Sequence, residues 1–153
     1  MAYKVSVKGM DKLEKAFENG VKGVTGCMKR SVYSGADVIA DSVRASLAGA
    51  LKRAEVKGYQ IILTSHGDLE KSLTISRIVT IGGTVETKVG FGGYDRKGVP
   101  NSLKAGVLES GRSKQDGRTK THFFSNAVKS SRRPARNAMR EEFLESFNNS
   151  IGE

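Results

Sequence analysis

The stretch Leu73–Phe91, LTISRIVTIGGTVETKVGF, decides the fold class. Leu73, Ile75, Val79 and Ile81 stand at alternate positions before Gly82-Gly83, and Val85, Val89 and Phe91 do so after it. A period of two predicts paired strands around a tight turn, so the chain is not all helix. A two-residue Gly-Gly turn would set Ile81 against Thr84 and odd positions against even ones. Placing both apolar sets on one face calls for the odd loop Gly82-Gly83-Thr84, with Ile81 opposite Val85 and Ile75 opposite Phe91. That register is the expectation, with a bulge as the other way to rescue the shorter turn.

Upstream lies the strongest helical pattern, CMKRSVYSGADVIADSVRASLA, from Cys27 to Ala48. Met28, Val32, Ala36, Ile39, Val43 and Leu47 step by three or four, leaving Arg30, Asp37, Asp41 and Arg44 on other faces. Gly49 is a plausible stop. Met10, Leu13, Ala16 and Phe17 predict a shorter helix to about Asn19. Gly20, Gly23 and Gly26 predict a break between the two, since each costs a helix about 1 kcal/mol relative to Ala. Tyr3–Val7 alternates as a short strand, and Leu51–Ser65 is ambiguous between strand and loop.

Downstream, Gly67-Asp68-Leu69 opens a turn or helical entry, and Lys104–Ser110 gives one helical turn or two. Gly111–Thr121, GRSKQDGRTKT, has no apolar residue and is expected to be an exposed, mobile loop. His122-Phe123-Phe124 forms an apolar anchor. The last helix is expected from near Ser131, with Pro134 in its first turn, to about Asn148. Ala135, Ala138, Met139, Phe143 and Phe147 line its buried side. The order β-α-α-β-β-α describes one α+β domain over residues 1–153. In it a small antiparallel sheet packs against a long helix and a C-terminal helix, with long mobile loops.

With 153 residues and a 37% apolar share, the chain has material for one modest core. No apolar run approaches the ~20 residues of a membrane-spanning helix, which argues against an integral membrane protein. The N-terminus lacks a hydrophobic signal core, so synthesis in the producer's cytoplasm is expected. The single cysteine, Cys27, excludes an internal disulfide framework and a multi-cysteine metal site.

Twenty-six Lys and Arg against sixteen Asp and Glu give a net charge of +10. Arg96–Arg140 holds twelve of those cations with only Glu109 and Asp116, so the whole surplus sits there. Such a segment draws polyanions, either nucleic acid or an acidic protein surface. Sequence-specific DNA reading is not expected, because no helix-turn-helix, zinc-finger or aromatic RNA-binding pattern accompanies the charge. Little supports catalysis. His66 and His122 lack metal-ligand spacing, and KVGFGGYDRKG lacks the Gly-Lys-Ser/Thr ending of a phosphate loop. Cys27 reads as a half-buried helix thiol, and Glu141-Glu142 as solvated charge. No active site, cofactor or metal is expected.

Several short motifs follow one another in a characteristic order. KGMDKL leads into a helix; Gly67-Asp68-Leu69-x-x-Ser72-Leu73 follows the long helix; Val89-Gly90-Phe91 ends a strand. Val107-Leu108-Glu109-Ser110-Gly111 comes next, then His122-Phe123-Phe124 with Ala127, then the closing amphipathic helix. This order resembles the gene-ten-like tail-completion, or head–tail joining, family of long-tailed bacteriophages. That family usually carries Tyr-Ala-x-x-x-Glu-x-Gly and Pro-Phe-x-x-Pro-Ala. Here the Tyr is replaced near Gly106, and neither anchor proline is present.

The resemblance implies a non-enzymatic structural virion protein of the phage neck, assembled in the host cytoplasm. It would form a ring, commonly a hexamer, that completes the tail tube and joins the tail to the DNA-filled head. Its partners would be copies of itself, the tail tube and head-completion proteins, with no membrane. The implied contact residues are Glu109, Gly111, Arg112, Lys114, Arg118, Lys120, Phe123 and Phe124. For Glu109, a helix carboxylate paired with a nearby Lys or Arg is the bland alternative. Arg132, Arg133, Arg136 and Arg140 would face either transiently passing genomic DNA or an acidic partner. The alternative function is a small basic protein that binds nucleic acid non-specifically.

Overall fold

The computed structural model describes residues 10–56, 66–111 and 120–151. The expected strand at Tyr3–Val7 lies outside them. Helix α1 spans Met10–Val56, α2 His66–Lys71, α3 Asn101–Ser110 and α4 Phe123–Ile151. Strands β1 (Leu73–Ile75), β2 (Val79–Ile81), β3 (Thr84–Glu86) and β4 (Val89–Phe91) lie between α2 and α3. The class is α+β, as expected.

Helix α1 runs unbroken for 47 residues, about 70 Å, through every glycine expected to interrupt it. Gly49 does not stop it either, and Leu51 and Ala54 are buried in its last turns. Tertiary packing overrides the propensity cost. Helix α4 lies antiparallel along α1, and the contact needs small residues. Ser31 Oγ donates to the Met139 carbonyl at 2.6 Å, Ser42 Oγ to Ala127 at 3.2 Å and Ser46 Oγ to Phe123 at 2.9 Å. Near the far end, a Cβ on Gly23 would touch Ser150 Cβ at 3.9 Å. At Gly35 a Cβ would lie 2.7 Å from Met139 Sδ and 3.3 Å from the Ala135 carbonyl oxygen, so any larger residue would force the Met139 side chain and the facing turn of α4 to shift.

The core gathers around the C-terminal half of α1. Ala40, Val43, Leu47, Ala50, Leu51 and Ala54 meet Leu69, Leu73, Ala105, Leu108, Phe123 and Ala127. Full burial of a Leu or Phe side chain such as Leu47, Leu69, Leu108 or Phe123 contributes about 1.5–3 kcal/mol.

The strand region corrects the expected register. Ile81 pairs with Thr84, so the turn is the two-residue Gly82-Gly83, with φ of 55° and 80°. Nearer the core, Leu73 pairs with Phe91 and Ile75 with Val89. The two ladders differ by one residue because Ser76–Ile78 faces only Thr87-Lys88, a bulge. Side chains replace the lost ladder bonds there. The Ser76 hydroxyl accepts the Lys88 N–H at 2.9 Å, and the Thr87 hydroxyl donates to the Ser76 carbonyl at 2.8 Å. The bulge keeps Leu73, Ile75, Val89 and Phe91 on the core, while Val79 and Ile81 are exposed.

Helix α4 starts at Phe123, eight residues before the expected Ser131, and leaves Pro134 inside the helix. Both α3 and α4 are thus longer than their local patterns indicate. The reason lies in how the two helices cap each other.

Candidate functional site

Glu109, on the last turn of α3, places its carboxylate on the N-terminus of α4. It accepts the Phe124 N–H at 2.8 Å and the Ser125 N–H at 3.1 Å, and the Ser125 hydroxyl donates to it as well. The first turn of a helix presents unpaired N–H groups and a partial positive charge, and a carboxylate satisfies both. In return, the segment entering α4 caps α3. Thr121 N–H and Oγ1 donate to the Leu108 carbonyl at 3.2 and 2.6 Å, and His122 N–H donates to the Glu109 carbonyl at 3.2 Å. Gly111 N–H closes on Val107 at 2.8 Å, with Gly111 at φ 80° and His122 at φ 49°. Gly111 and Thr121, which flank the sequence 112–119, are therefore both bonded to the last turns of α3.

Burial raises the Glu109 carboxyl, but the Ser125 hydroxyl, the two backbone N–H groups and the nearby His122 outweigh it. Its pKa lies below the ordinary glutamate value. Glu109 therefore holds a helix terminus, and among the described residues it pairs with no Lys or Arg. Beneath it, Phe91, Phe123 and Phe124 form an aromatic triad with ring centroids 5.9–6.3 Å apart. Phe123 is only 1% exposed, so it belongs to the core and not to a contact surface on this chain. Phe124 is half-buried beside it, Gly111 is half-buried and Lys120 is exposed. Arg112, Lys114 and Arg118 lie outside the described residues.

A second device stiffens the entry to α3. Asp95 and Lys104 form a buried ion pair, Nζ to Oδ2, across the loop that precedes the helix. Asp95 Oδ1 also accepts the Lys97 N–H at 2.8 Å and the Val99 N–H at 2.7 Å. The Lys104 hydrogen bond, then the Val99 and Lys97 N–H groups, hold Asp95 down to about 2. Outside this loop, Arg96 bridges to Asp68 at 3.0 Å and lowers that carboxyl too. Neither Asp95 nor Lys104 stood out in the sequence. The available signal was Asp95 followed three residues later by Gly98, which takes φ 74°, a turn in which an Asp side chain caps local N–H groups.

The structure thus sorts the basic segment. Lys104 and Arg96 are committed to intramolecular carboxylates. Arg132, Arg133, Arg136 and Arg140 are all exposed on α4, and Lys129 joins them on the same face. Lys129 precedes the helix start that the local pattern predicts, and it joins this face because α4 begins at Phe123. Near the other end of α4, Lys29, Arg30, Tyr33, Asp37, Ile78 and Glu142 line an open cleft of about 480 Å³. Cys27 is buried, 3.7 Å from Ser150 Oγ. Among the described residues, no group of three His, Cys, Asp or Glu is placed to hold a metal ion, and no helix is long and apolar enough to cross a membrane. Comparison with family models, with curated proteins and with solved structures returns no match.

Proposed function

We propose that this chain is a non-enzymatic structural subunit of a bacteriophage neck, forming a ring at the top of the tail tube that completes the tail and joins it to the head. One observation carries the reading. The residues on which the resemblance rests, scattered from Leu69 to Ala127, converge on a single joint. Leu69, Leu73, Leu108, Phe123 and Ala127 share one core, with Phe91 and Phe124 packed on it, and Glu109 and Gly111 form the caps above.

One departure from the family's usual Tyr-Ala-x-x-x-Glu-x-Gly motif stands at the entry to α3. Counting back from Glu109 and Gly111, Lys104-Ala105 stand where that motif has Tyr-Ala. Lys104 is buried there and brings its own carboxylate, Asp95, so the helix entry stays anchored. The polar sequence between Gly111 and Thr121 is then flanked by residues bonded to α3. A polar sequence of this kind has no apolar side chains to bury within its own chain and suits a contact with a neighbour. Ring closure by repeated head-to-tail contacts supplies a neighbour to every subunit.

Quantitative mass spectrometry of purified virions tests this. A low, fixed copy number per particle is expected, and its absence from infectious particles would contradict the reading.

A further inference from the structure

The geometry points to the solvent face of α4 as a binding site for duplex nucleic acid, held through its phosphates and without regard to base sequence. Lys129, Arg132, Arg133, Arg136 and Arg140 are all exposed, on the side of α4 away from the buried Ala127, Ser131 and Ala135. At the rise of an α-helix they span about 16 Å, or roughly one positive charge every 3–4 Å. Duplex DNA carries one phosphate per roughly 1.7 Å of axis, about 3.4 Å on each strand, so its charges are spaced at least as closely as these cations.

Three observations favour a phosphate backbone over the alternatives. Among the described residues no carboxylate forms an ion pair with any of the five, whereas Arg44, Arg96 and Lys104 elsewhere each have one. Four of the five are Arg, whose planar fork suits phosphate oxygens. The exposed residues beside them, Ser130, Pro134 and Asn137, are small, and the large exposed Leu144 lies one turn beyond Arg140, past the end of the patch. A protein partner would call for apolar or aromatic anchors within the patch, and single-stranded bases would call for aromatic platforms. No large apolar or aromatic residue is exposed between Lys129 and Arg140. The inference goes beyond the neck reading and stands on this helix face alone.

The test is fluorescence anisotropy of the full chain with two unrelated 24-base-pair duplex DNAs and one duplex RNA, titrated from 50 to 200 mM salt. Five phosphate contacts predict that affinity falls about 500-fold over that range, equally for both DNA sequences. The R132Q/R133Q/R136Q/R140Q variant should lose most of this dependence, each Arg removing roughly one from the log–log slope. The K29Q/R44Q/K52Q/R53Q variant removes as many exposed cations from α1 and should keep the slope. Binding to DNA, RNA or both supports the phosphate assignment and names the source. No binding to either, equal loss in both variants, or competition by polyglutamate as strong as by DNA would overturn it. Normal virions from the α4 variant would leave the neck reading intact even then.

Discussion

The Glu109 carboxylate accepts the Phe124 N–H at 2.8 Å although fifteen residues separate the two in sequence. Helix α4 is therefore capped from another helix, and its start depends on α3 being folded beneath it. Replacing Glu109 by Ala should cost about 0.5–2 kcal/mol, the usual effect of losing an N-cap. Glu109→Gln keeps an acceptor but loses the charge, and should fall between the two. Urea unfolding of the three proteins checks the order; an unchanged midpoint for Glu109→Ala would contradict the cap.

The flanks of the sequence 112–119, Gly111 and Thr121, make a separable prediction. Exchanging those residues for a short Gly-Ser link should leave the thermal midpoint within a few degrees of wild type. It should also abolish head–tail joining in a complementation assay. Full infectivity would remove the segment from the contact surface.

Acid should weaken the fold in a defined window. Asp68, Asp95 and Glu109 all lie below their ordinary pKa values, so the folded chain binds their protons less readily than the unfolded chain does. The stability they contribute is complete above the unfolded value and is lost as pH falls through the folded one. For Asp95 that window runs from 3.8 down to about 2. Thermal melts from pH 7 to 2.5 should show the decline, and Asp95→Asn should be less stable at pH 7 with a shallower acid slope.

The helix pair depends on Gly35. Gly35→Val should destabilise by about 1–3 kcal/mol, as overpacking generally does. Adding Met139→Ala relieves the clash with the side chain but not with the Ala135 carbonyl, so recovery should be partial. Full recovery would place the conflict in Met139 alone, and no loss would mean that the helices sit farther apart.

These elements also show what the sequence could and could not disclose. Residues 27–48 were legible as a helix because their apolar positions keep a 3.6-residue period. The same sequence hid the continuity of α1, because Gly20, Gly23 and Gly26 weaken a helix locally while packing on α4 decides globally. The hairpin was legible as strands, but its register was not. A one-residue bulge between Ile75 and Val79 lets the Gly82-Gly83 turn coexist with an all-apolar inner face, and alternation alone favoured the longer loop. The start of α4 was missed for a third reason. Its cap is Glu109 on another helix; His122 stands just before Phe123, and the Thr121 hydroxyl turns to the Leu108 carbonyl instead. Glu109, Gly111 and Phe124 stand in the sequence only as contact residues implied by the resemblance; that two helices cap each other there needed three dimensions. The Asp95–Lys104 pair was invisible for the same reason.

On the proposed reading this chain joins phage tails to heads, and electron microscopy of particles made when its gene is silenced tests that most directly. The account predicts DNA-filled heads lying beside separate tails, restored to whole virions by supplying the wild-type chain. Normal infectious virions without the chain would contradict it.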